Sequence, residues 1–147
     1  MIKIRFYYAD RNFIFIKNKT ALKAFVSEIF KKELTDATCA NVDYIFCSDE
    51  YLLNINRKFL NHDFYTDIIT FDLSENTYNI SAEIYISKDR VQENAQINNV
   101  PVYQEMRRVI FHGALHLCGY NDKTKAEVKI MRNRENFYLG IYESGFT

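Results

Sequence analysis

The stretch from Val102 to Cys118, VYQEMRRVIFHGALHLC, is the feature that most limits how this chain can fold. Pro101 precedes it and Gly119 follows it. A proline suits the start of a helix because it lacks only a hydrogen bond that the first turn would not have made. A glycine suits the end because it adopts the left-handed backbone conformation that closes many helices. The sequence therefore predicts one long helix with a defined beginning and end.

The rest of the chain alternates runs typical of strands with runs typical of helices. Strands are predicted for short stretches rich in β-branched and aromatic residues: IKIRFYY, NFIFI, NVDYIFCS, TDIITFDL and ISAEIYIS, of which the first two flank a turn at ADR and look like a hairpin. Helices are predicted from periodicity and capping residues: TALKAFVSEIFKKEL with Thr20 as its cap, SDEYLLNINRKFL with Ser48, SKDRVQENAQI with Ser87, and TKAEVKIMRNRENFYLGIY, where Thr124 and Glu127 form a capping box. This order predicts a single α+β domain over residues 1–147, with a small mixed sheet and helices.

Composition excludes several classes of protein. A chain of 147 residues with 48% hydrophobic residues can form one domain with a real core. The formal net charge is zero, so any nucleic-acid site must be a local basic patch on a balanced surface. The three cysteines form no CxxC pair and are expected to be reduced thiols. The chain shows no signal-peptide pattern and no apolar run of the roughly 20 residues that a membrane span needs, so we expect a cytoplasmic protein.

Two of the three histidines lie in HGALHLCGYND, which runs from His112 to Asp122. His112 and His116 are one helical turn apart, so both imidazoles project from one face, which is the arrangement of zinc-binding helices. A sharp turn at Gly119 can bring Asp122 towards the same metal. The spacing matches the extended zinc motif of metzincin proteases, and a carboxylate is an acceptable zinc ligand. The stretch therefore predicts a site of two histidines and one aspartate, with open positions for water.

Other interpretations of the same residues stay open. Two histidines at this spacing are more often ordinary surface or core residues, and Asp122 could belong to the first turn of the next helix. The proteases carry a glutamate general base directly after the first histidine, whereas this chain has Gly113. A peptidase is therefore disfavoured. Cys118 leaves the helix on a different face and is predicted to be a packed thiol rather than a ligand.

A second polar stretch, NINRKFLNHDFYTDIITFDL from Asn54 to Leu73, would on its own indicate a solvated loop between a helix and a strand. Together with HGALHLCGYND it resembles the YbeY family of bacterial metal-dependent endoribonucleases, which act in ribosomal RNA maturation. The family segments LN-x2-YR, TDVLSF, GDI-x-IS and HGxLHLxGYDH match LNINRKF, TDIITF, AEIYIS and HGALHLCGYND in that order. Later acidic and methionine positions of the family match Glu127, Met131 and Glu135.

The resemblance implies an α+β fold that is zincin-like around the metal helix, with one zinc ion per chain held by His112, His116 and Asp122. Asp122 occupies the position of the family's usual third histidine, and Asn121 that of its usual aspartate. Arg57 is implied as the catalytic arginine. The implied activity is that of a single-strand-preferring endoribonuclease acting on ribosomal RNA at the 3′ end of the small-subunit RNA, and in ribosome quality control. Ribosomal RNA, the small ribosomal subunit and ribosome-associated proteins are the implied partners.

The residue types suit this chemistry. Zinc lowers the pKa of a bound water far enough to supply a nucleophile near neutral pH. An arginine such as Arg57 can hold two phosphate oxygens and stabilise charge on a phosphoryl group. Lys58, Arg107 and Lys123 are weaker candidates for contacts to the RNA backbone, since each could simply be part of a solvated helix face. Two alternatives stay open: a metallohydrolase of another substrate, such as a peptidase, and a non-catalytic ribosome-associated factor with a structural metal.

Overall fold

The computed structural model describes residues 1–10 and 16–145, and within those ranges it contains four strands and five helices. The strands are β1 (Ile2–Tyr8), β2 (Cys39–Cys47), β3 (Ile68–Asp72) and β4 (Asn79–Ser87). The helices are α1 (Lys19–Glu33), α2 (Asp49–Leu60), α3 (Lys88–Asn98), α4 (Val102–Leu117) and α5 (Lys125–Glu143). Among these helices, none is both long enough and apolar enough to span a membrane.

The strands form one mixed sheet in the order β1-β2-β4-β3. β1, β2 and β4 run parallel, so that Ile4, Val42 and Ala82 lie side by side, and β3 is antiparallel to β4 at one edge. Parallel neighbours need a crossover connection, which α1 supplies between β1 and β2. The predicted α+β fold with a small mixed sheet is confirmed, while its zincin-like character stays a prediction.

The first two predicted strands have different outcomes. IKIRFYY forms β1, and β1 pairs in parallel with β2. The predicted hairpin partner, NFIFI, covers residues 12–16, of which 12–15 lie outside the described residues.

Most of the predicted caps are confirmed. The side chains of Ser48 and Ser87 accept backbone N–H groups in the first turns of α2 and α3. Thr124 and Glu127 form the reciprocal capping box at the start of α5. Each of these residues satisfies N–H groups that a helix start leaves without a partner, so the signal is local and can be recognised from sequence.

The prediction of Thr20 as the cap of α1 is wrong. The helix begins one residue earlier, at Lys19, and Asn18 caps it by accepting the backbone N–H of Ala21 at 3.2 Å. Asn18 has a φ of 51°, in the left-handed region that asparagine tolerates better than most residues. Asparagine and threonine are both good capping residues, and they lie close together here. Which of the two caps the helix therefore depends on the path by which the chain enters it.

Helix α4 packs so closely on the sheet that position 113 has no room for a side chain. A Cβ built on Gly113 would lie 3.0 Å from Ile68 Cδ1 and 3.1 Å from Ile84 Cδ1. Successive residues are about 100° apart around a helix, so His112 leaves α4 beside the sheet rather than towards it. The absence of a glutamate after His112 therefore has a packing cause, because a side chain at 113 would point into the strands.

The predicted end of α4 is also confirmed. Gly119 has a φ of 103°, and the backbone N–H of Tyr120 reaches back to the carbonyl of Leu115 at 3.1 Å. This left-handed closure satisfies carbonyl groups that the last turn would leave free. It also reverses the chain, so that the loop bearing Asp122 returns towards α4.

Candidate functional site

A cleft of about 490 Å³ opens where the start of β3, α3, α4 and α5 meet. Its described polar lining includes Asp67, Asn94, Glu105, Arg108, His112 and Glu135, and Asp122 stands beside His112. Acidic, basic and amide groups therefore converge on the first of the two predicted histidine ligands.

His112 is held between two carboxylates. Its Nδ1 lies 2.7 Å from Glu135 Oε2, and its Nε2 lies 3.3 Å from Asp122 Oδ2. Glu135 is buried and also accepts a hydrogen bond from Arg108 Nη1 at 3.0 Å. Helix α5 thus supplies, through Glu135, the group that orients a ring on α4.

The pKa directions of this pair follow from the geometry. Burial alone would lower the pKa of His112, but the hydrogen bond and charge of Glu135 outweigh burial, and the pKa of His112 is raised. Burial alone would raise the pKa of Glu135, but hydrogen bonds from His112 and Arg108 lower it. Glu135 is therefore a carboxylate that only accepts, and His112 Nδ1 must carry the proton between them.

The other ring nitrogen of His112 suits a metal. With Nδ1 protonated, the Nε2 of a neutral ring and Asp122 Oδ2 are both electron-pair donors, and they face each other at 3.3 Å. Two donors in this arrangement need a proton or a cation between them. Atoms bound to a tetrahedral zinc at its usual distances are separated by roughly 3.3–3.5 Å, so the observed spacing fits two zinc ligands. A carboxylate behind the ligand histidine is also common at zinc sites.

His116 lies apart from this pair. It is exposed, and its Nδ1 donates to the backbone carbonyl of Tyr120 at 3.1 Å, which leaves Nε2 unprotonated in the neutral ring. In the ranges 1–10 and 16–145, no three His, Cys, Asp or Glu side chains are grouped closely enough to hold a metal ion. The structure thus brings together His112 and Asp122, and the full set with His116 stays a prediction.

The predicted basic residues lie elsewhere. Arg57, at the end of α2, is exposed and forms an ion pair with Asp63 through Nε at 2.5 Å. Lys58 lies over the ring of Phe59. Neither Arg57 nor Lys58 is among the described residues that line the cleft.

The remaining two basic candidates have local contacts. The guanidinium of Arg107 lies 4.9 Å from the Tyr103 ring centroid and 4.8 Å from that of Tyr142. Lys123 contributes its backbone N–H to Glu127, as part of the start of α5. Cys118 is half-buried and burial raises the pKa of its thiol to about 12, in agreement with a packed thiol.

The cleft also contains residues that the sequence interpretation did not assign. Arg108 and Glu105 share the cleft face of α4 with His112, and their spacing of four and seven residues from it was the signal that could have found them. Asp67 comes from the start of β3, and burial raises its pKa. Glu135 had been matched by resemblance, but nothing in the sequence placed it against His112.

Comparisons with known proteins give a consistent result. A family model described as Endoribonuclease YbeY matches residues 9–143. A relative from Cytophaga hutchinsonii named Endoribonuclease YbeY is 44% identical over 136 residues, covering 92% of this chain and 94% of its own length. One of the same name from Parabacteroides distasonis is 44% identical over 141 residues and covers 94% of each chain. A solution structure of a Thermotoga maritima protein matches with a TM-score of 0.60 and 28% identity, over 97% of this chain and 93% of that one.

Proposed function

The chain belongs to the YbeY endoribonuclease family, and we propose that it cleaves single-stranded RNA with the help of a zinc ion held by His112, His116 and Asp122. The observation that supports this most is the facing pair of His112 Nε2 and Asp122 Oδ2, 3.3 Å apart beside the cleft. His116 would add its unprotonated Nε2, which the hydrogen bond from Nδ1 to the Tyr120 carbonyl leaves available.

Protein groups around this set prepare it for the reaction. Glu135 keeps the proton on Nδ1 of His112 and so keeps Nε2 available. When bound, zinc would supply Lewis acidity at the scissile phosphate and make a water molecule there more acidic. Arg108 and Arg132 line the same cleft and can offset the negative charge of a phosphate group there.

The catalytic arginine of this proposal is Arg57. Its partner Asp63 is exposed, and exposed ion pairs are weak, so a phosphate can replace the Asp63 carboxylate. When the family segment LN-x2-YR is aligned with the chain from Leu53, however, its arginine falls at Lys58. Both positions therefore belong in the test.

Ribosomal RNA is the substrate that we propose, at the 3′ end of the small-subunit RNA, with the small subunit and its associated proteins as partners in the cytoplasm. Family membership supports this choice. A formal net charge of zero agrees with RNA that is presented by an assembled particle rather than captured by long-range attraction. In this proposal Lys58, Arg107 and Lys123 make the weaker contacts to the RNA backbone.

A cleavage assay tests the proposal with three substrates: a labelled single-stranded RNA, the same RNA in a duplex, and casein. We expect the zinc-loaded protein to cleave the single strand and to leave the duplex and casein intact. Arg57→Ala should reduce the rate about 100-fold, the typical effect of losing a group that stabilises developing charge. Lys32→Ala, an exposed lysine of α1, is the control and should leave the rate unchanged.

Other results would contradict the proposal in specific ways. Cleavage of casein with intact RNA would indicate a peptidase. Absence of any cleavage by zinc-loaded protein would indicate a non-catalytic factor. If Lys58→Ala rather than Arg57→Ala abolished activity, the family register would identify the catalytic cation and Arg57 would lose that role.

A further inference from the structure

A hydrogen-bonded cluster around Glu33 joins elements that are far apart in the sequence. Glu33 is the last residue of α1, and its carboxylate accepts hydrogen bonds from Tyr120 Oη at 2.7 Å, from Arg134 Nη2 at 2.7 Å and from the hydroxyl of Tyr138. Arg134 and Tyr138 belong to α5, whereas Tyr120 lies in the turn between α4 and α5. One carboxylate therefore ties α1 to α5 and to the turn that leads to Asp122.

Glu33 stays charged in this environment. Burial alone would raise its pKa, but the hydrogen bonds from Tyr138, Tyr120 and Arg134 outweigh burial and lower it. A carboxylate can only accept hydrogen bonds, so both tyrosine hydroxyls must donate to Glu33. Hydrogen bonds to a charged acceptor are stronger than those between neutral groups, so this cluster holds the Tyr120 side chain firmly.

Tyr120 is fixed at two points. Its backbone N–H donates to the carbonyl of Leu115 at 3.1 Å, and its side-chain hydroxyl donates to Glu33. Gly119 provides the left-handed turn that makes the first of these contacts geometrically possible. The Tyr120 carbonyl, which belongs to the same residue, therefore has a restricted direction, and His116 Nδ1 lies 3.1 Å from it.

This contact decides which nitrogen of His116 carries the proton. A carbonyl oxygen only accepts, so Nδ1 must be protonated and the neutral ring then presents Nε2 as a donor of electrons. His116 is exposed, and water competes with the carbonyl for Nδ1. A carbonyl held in place by Glu33 wins that competition more often than one in a mobile turn.

We propose that Glu33 is a positioning residue that sets the tautomer of His116 by holding Tyr120. The inference rests on the proposed function in one respect, namely that His116 is a zinc ligand through Nε2. The hydrogen bonds that carry it involve neither metal nor RNA. Glu33 and His116 are 83 positions apart in the chain, and only the fold connects them.

The test is a long-range ¹H–¹⁵N NMR experiment on histidine-labelled, metal-free protein at pH 8, well above the ordinary imidazole pKa of about 6.5. We expect His116 in the wild type to be protonated mainly at Nδ1. Tyr120→Phe keeps the ring and every backbone group but removes the hydroxyl, and Glu33→Gln removes the charge. In both variants we expect a shift towards the form protonated at Nε2, and zinc affinity about 10-fold weaker in a competition assay.

Tyr85→Phe is a matched control, because it removes another tyrosine–glutamate hydrogen bond, from Tyr85 Oη to Glu83 on the sheet. It should leave the His116 tautomer and the zinc affinity unchanged. If Tyr120→Phe and Glu33→Gln both retain the wild-type tautomer, the inference is overturned, even where the variants are less stable. The same holds for a wild-type His116 that is protonated mainly at Nε2.

The two proposals can fail separately. A tautomer shift in a protein that neither binds zinc nor cleaves RNA would support the role of Glu33 and contradict the proposed function. Zinc binding and RNA cleavage with an unshifted tautomer would do the reverse.

Discussion

The two histidines of α4 project from one helix face but are held in different ways. His112 is half-buried and its Nδ1 faces the Glu135 carboxylate, whereas His116 is exposed and its Nδ1 faces the carbonyl of Tyr120. A carboxylate stabilises an additional proton on the ring, and a carbonyl does so much less. His112 is therefore fixed by charge and His116 by the geometry of a turn, so the two predicted ligands, one helical turn apart, depend on different parts of the fold.

The largest expected effect is a loss of stability on removal of the Glu135 carboxylate, the charged group that holds His112. Glu135→Ala leaves His112 and Arg108 without their buried acceptor, and removing one partner of a buried pair costs about 3 kcal/mol. We expect that loss in the free energy of unfolding, measured by urea denaturation of the metal-free protein. A loss below about 1 kcal/mol, typical of a surface pair, would show that Glu135 does not hold His112 by charge.

The second-largest expected loss of stability comes from disturbing the close packing of α4 on the sheet. Gly113→Ala pushes a methyl group against Ile68 and Ile84, and overpacking of this kind costs about 2 kcal/mol. Gly140→Ala is the matched control in α5, because a Cβ there meets no atom within 4 Å. It should be neutral or stabilising by about 0.5–1 kcal/mol. Thermal unfolding of both variants measures the difference, and equal effects would contradict the close packing of α4.

A smaller effect is expected in how the stability of the metal-free protein changes above neutral pH. A raised pKa means that the folded state binds the His112 proton more tightly than the unfolded state. This contribution is complete below the ordinary imidazole pKa of about 6.5 and is lost as the pH rises through the elevated pKa of His112. The Tm of metal-free protein should therefore decline above neutrality. Glu135→Gln should flatten that decline, and an equally steep decline in the variant would assign it to other groups.

The smallest expected effect is on stability at acidic pH, and it concerns Glu33, which holds the turn next to His116. The lowered pKa of Glu33 means that its contribution to stability is present above the ordinary carboxyl pKa of about 4.3 and is lost as the pH falls below it. Glu33→Gln should therefore reduce the acid sensitivity of the Tm without changing the alkaline decline. If Glu33→Gln instead changed the decline of the Tm above neutral pH, the groups that hold His112 and those that hold His116 would not be independent.

The sequence predicted best the features that depend on local signals. Pro101 and Gly119 bound α4, and Thr124 and Glu127 cap α5, because each acts within one helical turn. The contact of Glu135 with His112 could not be read in this way. It depends on how α5 packs against α4, across 23 residues of chain.

The same limit explains why the sequence interpretation placed some residues without their contacts and missed others. Arg57 was chosen by resemblance and its catalytic role stays a prediction; the structure shows it in an exposed ion pair with Asp63, outside the described cleft lining. Arg108 was not assigned to the site, although its spacing of four residues from His112 placed it on the same helix face. Asp67 reaches the cleft because β3 lies at the sheet edge beneath α4, which is a property of the topology and not of any motif.

The most direct test of the account is the zinc content of the purified protein by inductively coupled plasma mass spectrometry. We predict about one zinc per chain in the wild type and near-complete loss in His112→Ala, His116→Ala and Asp122→Ala. The third histidine, His62, stacks on Phe64 and is not among the described residues that line the cleft, so His62→Ala should retain the metal. A wild-type protein that stays empty when zinc is supplied, or an Asp122→Ala variant that keeps its zinc, would contradict the ligand set.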